Sequence, residues 1–170
     1  MQWMRAQHFD RWLEEQHAGS AHILGICGGY QMLGESIDDP HHVECVEDAV
    51  AGLGLLPVRT TLQREKVTQC VTAATPKGRT FAAYEIHMGE TARPADAEPF
   101  AQINGRPEGI RHGRCCGTYL HGALENPVVL EDWLGYRAPD PANRGQLYDR
   151  LADWFERWVD QATFERLFLR

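Results

Sequence analysis

Cys27 and His121 are the two residues of this sequence whose surroundings fit them for chemistry. Cys27 ends an apolar, β-type run from Ile23 to Ile26, and Tyr30-Gln31-Met32-Leu33 after it reads as the first turns of a helix. Gly25 and Gly29 stand two positions either side, so strand and helix can pass close together while the thiol projects from a strained turn, the pattern of a nucleophile elbow. A helix start behind the sulfur directs N–H groups at it, which lowers a thiol pKa and can hold an oxyanion. His121 closes a second strand-like run, Arg114 to Leu120, and is followed by Gly122. A thiolate that attacks an amide or ester carbonyl, with an imidazole that carries the proton to the leaving group, is the minimum for acyl transfer. The alternative for the elbow alone is a buried structural cysteine in a glycine-rich turn.

The other candidates carry less. Cys45, Cys70, Cys115 and Cys116 lack glycine flanks and read as packing residues or incidental thiols. Adjacent Cys115 and Cys116 point to opposite faces of a strand. His41, His42 and Cys45 invite a metal reading, but Val43 and Val46 interleave them and no second ligand pair has zinc-like spacing, so no metal is expected. In Tyr84-Glu85-Ile86-His87-Met88, Glu85 and His87 share one strand face and Tyr84, Ile86 and Met88 the other. Two polar residues on one face are ordinarily solvated.

The elements that must position these residues are legible in outline. An amphipathic helix over residues 2 to 16 gathers Trp3, Phe9, Trp12 and Leu13 on one face and leads into the strand at 22 to 26. Asp38 to His42 is a polar loop, Gly52 to Val58 a short apolar segment closed by proline, and Lys66 to Thr72 a half-exposed strand. Ala92 to Gly113 is turn-rich and reads as a connecting hairpin of modest order. A short helix begins at Pro127, a linker carries Pro139, Pro141 and Gly145, and a last helix over about 146 to 168 sets Leu147, Leu151, Trp154, Phe155 and Trp158 on one face.

With 170 residues, the chain is long enough for one domain with a sizeable core. The formal charge of −7, with no long Lys/Arg cluster, argues against a nucleic-acid partner. Five cysteines without regular spacing point to free thiols in a reducing compartment. No apolar run reaches the roughly 18 residues of a membrane span, and the start is not a signal peptide, so a cytoplasmic location without membrane contact is expected.

Four collinear motifs then carry a resemblance. Gly25-Ile26-Cys27-Gly28-Gly29-Tyr30-Gln31-Met32-Leu33-Gly34, Gly52-Leu53-Gly54-Leu55-Leu56-Pro57, Tyr84-Glu85-Ile86-His87-Met88-Gly89 and Gly117-Thr118-Tyr119-Leu120-His121-Gly122 resemble the glutamine amidotransferase domain of cobyric acid synthases. Tyr148 to Asp153 is similar to the closing helix of that family. The resemblance implies that Cys27 attacks the side-chain amide of L-glutamine, that His121 is the general acid and base, and that the Gly28 N–H is one oxyanion donor. It further implies an oxyanion or substrate-binding role for Gly29, Gln31, Tyr84, Glu85 and His87. Ala123 stands where the wider superfamily has an orienting glutamate, so a dyad is implied, with another group holding the imidazole.

The fold implied is three-layer α/β with a mainly parallel, flavodoxin-like sheet and the elbow at the C-terminal end of a central strand. Residues 1–170 would form a single domain that lacks its first strand or strands and the N-terminal synthase domain. No cofactor is expected here, since ATP and Mg²⁺ belong to that synthase domain, which would receive the ammonia and amidate a corrinoid substrate bound elsewhere. A sheet edge left open by missing strands implies poor solubility or reliance on a partner chain. Two other readings stand beside this one: a glutamine amidotransferase subunit acting on a cell-wall lipid precursor, which shares the dyad, and a non-catalytic remnant that binds a partner.

Overall fold

The fold, described from a computed structural model over residues 1–137 and 144–169, groups into two compact units, residues 1–136 and residues 137–170. The expected linker around Pro139 and Pro141 lies outside the described residues.

The first unit opens with α1 (Gln2–Ala6) and α2 (Phe9–Ala18) in place of one helix. The break falls at His8, which takes a left-handed φ of 57° and ends the i→i−4 ladder. Next come β1 (Ile23–Ile26), the elbow helix α3 (Gly28–Leu33), β2 (Ser36–Asp38), β3 (Ala49–Ala51), and the long antiparallel pair β4 (Arg59–Ala74) and β5 (Thr80–Ala92). The turn-rich stretch is better ordered than its composition suggests and holds β6 (Ala101–Ile103), β7 (Arg106–Glu108) and β8 (Ile110–His112). Phe100 and Ile110 anchor it, each nearly fully buried. β9 (Cys115–Thr118), β10 (Leu120–His121), a 3-10 turn (Ala123–Glu125) and α4 (Pro127–Leu134) complete the unit.

These strands form two sheets. One has the order β1-β9-β8; the other runs β10-β5-β4-β2-β3, with β6 and β7 attached through β4. The α/β class and the elbow stand, but the sheets are mixed rather than mainly parallel. Among the described residues only β1–β9 and β2–β4 pair in parallel, and the other strand pairs are antiparallel. The reason is local: β4–β5 and β6–β7 are joined by tight turns at Gly78 and at Asn104–Gly105, which only antiparallel neighbours can use. β1 pairs with β9 alone among the described residues, so the nucleophile strand lies at a sheet edge.

β9 separates two hydrophobic cores. Cys116 packs with Phe81, Ala83, Phe100, Leu120 and Val129 on one face, and Cys115 with Ile23, Tyr30, Leu33, Val58 and Ile110 on the other. That double burial pushes the Cys115 thiol up to about 12 and the Cys116 thiol up to about 11. Behind the first core, α4 is tied to the β4–β5 turn. Arg79 donates to Glu131, to the Val128 carbonyl and to Asp132, and Thr75 and Lys77 also reach the Asp132 carboxylate.

The second unit contains α5 (Arg144–Trp158) and α6 (Gln161–Phe168), where one helix was expected. Asp160 ends the first and caps the second, accepting from the Thr163 N–H and hydroxyl. No described helix is long and apolar enough to cross a membrane.

The Asp132 cluster sets an acid-dependent test. Burial pushes this carboxyl up, but hydrogen bonds from Arg79, Thr75 and Lys77 outweigh burial and hold it at about 2. Its contribution is therefore present above the unfolded carboxylate range near 4 and is lost as pH falls through about 2, amounting to about 2 kcal/mol. Urea unfolding across pH 2 to 6 should show Asp132→Asn flattening this part of the acid slope. An unchanged slope would remove Asp132 from the account.

Candidate active site

The elbow forms because Gly25 and Gly117 let three backbones converge. A Cβ on Gly25 would lie 2.6 Å from the Gly29 carbonyl, and one on Gly117 would lie 1.9 Å from the Tyr30 ring. These two glycines face each other across the β1–β9 pair. Strand and elbow helix are thus in contact along the whole turn. Cys27 absorbs the reversal with φ 54° and ψ −116°, a strained conformation for a residue with a side chain. Gly28 and Gly29 open α3, where backbone N–H groups have no intrahelical acceptor. A Cβ on either would meet nothing within 4 Å, so the space beside them is open.

Cys27 is joined to a seam between the two sheets. Its N–H donates to the Thr118 carbonyl at 2.9 Å, and its Sγ reaches the Ile86 carbonyl at 3.4 Å. The Ile86 N–H in turn donates to the Tyr119 carbonyl at 3.4 Å. β1, β5 and the crossover from β9 to β10 are therefore linked in one ring of hydrogen bonds. Two residues beyond Tyr119 comes His121, paired across the sheet with Tyr84, while Leu120 pairs with Glu85. Opposite residues of an antiparallel pair project to the same face, so Tyr84, 53% exposed, stands beside His121. The His121 Nε2 is buried and has no hydrogen-bond partner.

Cys27 is tied to this seam, and His121 with Tyr84 stands on the β10–β5 pair that continues from it, whereas Gln31, Glu85 and His87 form a buried layer around Tyr119. Gln31 is 7% exposed and donates to the Tyr119 hydroxyl at 3.3 Å. That hydroxyl also meets Thr91 Oγ1 at 2.5 Å. His87 stacks on the Tyr119 ring at 4.1 Å, with Nδ1 against the Gly89 carbonyl and Nε2 toward Glu85. Glu85 is 2% exposed, not solvated as its strand pattern suggested. Burial raises its pKa, but hydrogen bonds from Arg106 and Gln69 outweigh burial and hold the carboxyl below its ordinary range. Polar residues on this face thus find protein partners in place of water.

Sequence reasoning missed Glu108, Thr118 and Tyr119. Glu108 is 3% exposed and accepts from Thr118 Oγ1 and from the Tyr119 N–H, both at 2.7 Å. Thr118 and Tyr119 sat inside a recognised motif, whereas Glu108 had no signal beyond a turn-rich setting. The His41-His42 loop is organised by Asp39, whose carboxylate accepts from the N–H groups of Val43, Glu44 and Cys45.

Comparison with known proteins places the chain in a family. The CobB/CobQ-like glutamine amidotransferase domain matches residues 1–129. The chain is 44% identical over 135 residues to a cobyric acid synthase of Jannaschia sp. (strain CCS1), covering 78% of this chain and 28% of that protein. It is 41% identical over 169 residues to one from Cereibacter sphaeroides (94% and 35%), and 44% identical over 166 residues to one from Bradyrhizobium diazoefficiens (92% and 34%). The chain thus spans about a third of the length of these curated relatives. A crystal structure of a glutamine amidotransferase superposes with a TM-score of 0.55 at 17% identity, covering 78% of this chain and 69% of that one, a likeness of fold.

The elbow makes an asymmetric prediction. Gly25→Ala forces a methyl into the Gly29 backbone and should destabilise by about 3 kcal/mol. Gly29→Ala enters open space at a helical position and should be neutral or stabilising by up to about 1 kcal/mol. Chemical denaturation of both variants checks this, and equal effects would contradict the described contact.

Proposed function

The chain belongs to the CobB/CobQ-like glutamine amidotransferase domain family, and we propose that it hydrolyses the side-chain amide of L-glutamine at Cys27, with His121 as general acid and base. The observation that carries this reading is the hydrogen-bonded ring that joins the Cys27 elbow to the strand bearing an unpartnered His121 Nε2. The Cys27 thiolate adds to the amide carbon, and the oxyanion is met by the Gly28 N–H, a contact worth about 3 kcal/mol of barrier in comparable sites. The carbon–nitrogen bond breaks as His121 delivers a proton to the departing ammonia, leaving a γ-glutamyl thioester. His121 then takes a proton from water, which attacks the thioester and releases glutamate and the thiol.

Open space beside Gly28 and Gly29 admits the amide end of the substrate. In this reading Tyr84, exposed beside His121, borders the bound substrate, and Gln31, Glu85 and His87 act from behind through Tyr119.

The names of the relatives extend the proposal to a pathway role. Ammonia released here would serve an ATP-dependent synthase that amidates corrinoid carboxylates, in the cytoplasm. ATP and Mg²⁺ belong to that second reaction. This sequence has no Gly-x-x-x-x-Gly-Lys-Ser/Thr loop to cradle a nucleotide phosphate, so no step here is assigned to them.

The test is ammonia release from L-glutamine by the purified chain. Cys27→Ala should abolish it, and His121→Asn should lower kcat by about 1,000-fold while glutamine binding persists. Ammonia release that survives Cys27→Ala would overturn the mechanism. A folded wild-type chain that releases none, even when supplied with its synthase, would favour the non-catalytic reading.

A further inference from the structure

His121 has no side-chain partner at Nε2, and the residue two positions after it is Ala123, buried and apolar. The position of its imidazole therefore depends on the backbone that carries it. That backbone is unusual at residues 118–120, where the chain leaves the three-stranded sheet and enters the seven-stranded one. Here side chains satisfy donors that a strand ladder would otherwise take. The Tyr119 N–H donates to Glu108 Oε1 at 2.7 Å, the Thr118 hydroxyl donates to Glu108 Oε2 at 2.7 Å, and the Leu120 N–H donates to Thr118 Oγ1 at 3.0 Å. One buried carboxylate thus organises three consecutive residues.

The same residues fix the nucleophile. The Thr118 carbonyl accepts the Cys27 N–H, and the Tyr119 carbonyl accepts the N–H of Ile86, whose own carbonyl receives the thiol. A shift of the crossover would move the imidazole and the sulfur relative to each other.

We propose that Glu108 is the positioning residue for His121: by holding Thr118 Oγ1 and the Tyr119 N–H with separate carboxylate oxygens, it fixes the crossover that presents the imidazole to Cys27. Only a carboxylate supplies two acceptor oxygens at this point; an amide of the same size supplies one. The arrangement carries an electrostatic penalty. Burial, together with the nearby Glu85 charge, pushes the Glu108 carboxyl up to about 7, against the two hydrogen bonds and the Arg106 charge, which pull it down. A group acting only as core filler would gain nothing from that penalty.

The proposal rests on the glutaminase reading, so its test includes a measurement that does not need turnover. Wild type, Glu108→Gln, Thr118→Val and Thr118→Ser are compared for kcat and KM in ammonia release, and for the His121 ring resonances in the NMR spectrum of the folded chain. Glu108→Gln and Thr118→Val should lower kcat by about 10- to 100-fold with KM little changed, and both should shift the His121 ring signals. Thr118→Ser keeps the hydroxyl and should behave as wild type. A folded Glu108→Gln chain with wild-type kcat, or with unmoved His121 signals, overturns the proposal. If Glu108→Gln does not fold, Thr118→Val decides by the same two readings. If wild type releases no ammonia, the glutaminase reading fails by itself, and the NMR comparison still decides whether Glu108 holds His121.

Discussion

The structure depends on a crossover in which one segment, Thr118 to His121, belongs to both sheets at once. Its first residue ends the partner strand of the nucleophile, and its last two pair with β5. Neither sheet alone contains both residues of the proposed catalytic pair. Cys27 stands at the end of β1 and His121 on the far side of the seam, and the Cys27–Thr118 and Ile86–Tyr119 hydrogen bonds keep the two sheets in register there. Backbone hydrogen bonds in a buried setting are costly to leave unmade, so the seam has one stable arrangement. The proposed catalytic pair would inherit that precision.

The layer behind the seam explains why so many polar groups are buried near the site. Tyr119 is held from several directions: by Tyr30 at 5.1 Å edge-on, by the stacked His87, and by Gln31 and Thr91 at its hydroxyl. His87 is fixed in turn by Glu85, and Glu85 by Arg106 and Gln69. Such a network restrains the neighbouring backbone because each member would leave a buried partner unsatisfied if it moved. The polar residues of the Tyr84 to Met88 strand therefore divide by face. Tyr84 is exposed beside His121, while Glu85 and His87 belong to the buried layer around Tyr119.

Much of this was legible in the sequence, and what was not has a physical cause. The elbow could be read because its glycines are forced by a steric contact within five residues, Gly25 against Gly29. The strand leading to His121 could be read because Cys115 to Thr118 is wholly buried and correspondingly free of charge. Its division at Tyr119 into β9 and β10 could not, since the two halves join different sheets. Nor could sheet order, since the antiparallel hairpins β4–β5 and β6–β7 are local but the pairing of β5 with β10 joins residues 35 and more apart. The burial of Glu85 was hidden for the same reason: its partner Arg106 lies on another strand, in a segment whose prolines and glycines suggested little order. Helix ends failed where the chain relied on one backbone angle, at His8, or on one cap, at Asp160. The position of Glu108 follows from no local pattern, because its two partners are ten and eleven residues away and meet it only once the two sheets are joined.

Selection of one thiol among five follows from the same packing. Cys115 and Cys116 occupy the two cores on either side of β9, where burial keeps both protonated at neutral pH. Cys45 lies in the loop that Asp39 organises and donates to the Glu47 carbonyl. Cys70 is exposed within β4, paired with Tyr84. Cys27 alone combines partial exposure, a strained backbone and adjacent N–H groups without helical acceptors. These three conditions have one origin, the reversal of direction between β1 and α3, which the close passage of Gly25 and Gly29 permits. The thiol proposed as nucleophile is thus set apart by geometry at a single turn, while Cys115 and Cys116 are set apart from it by packing.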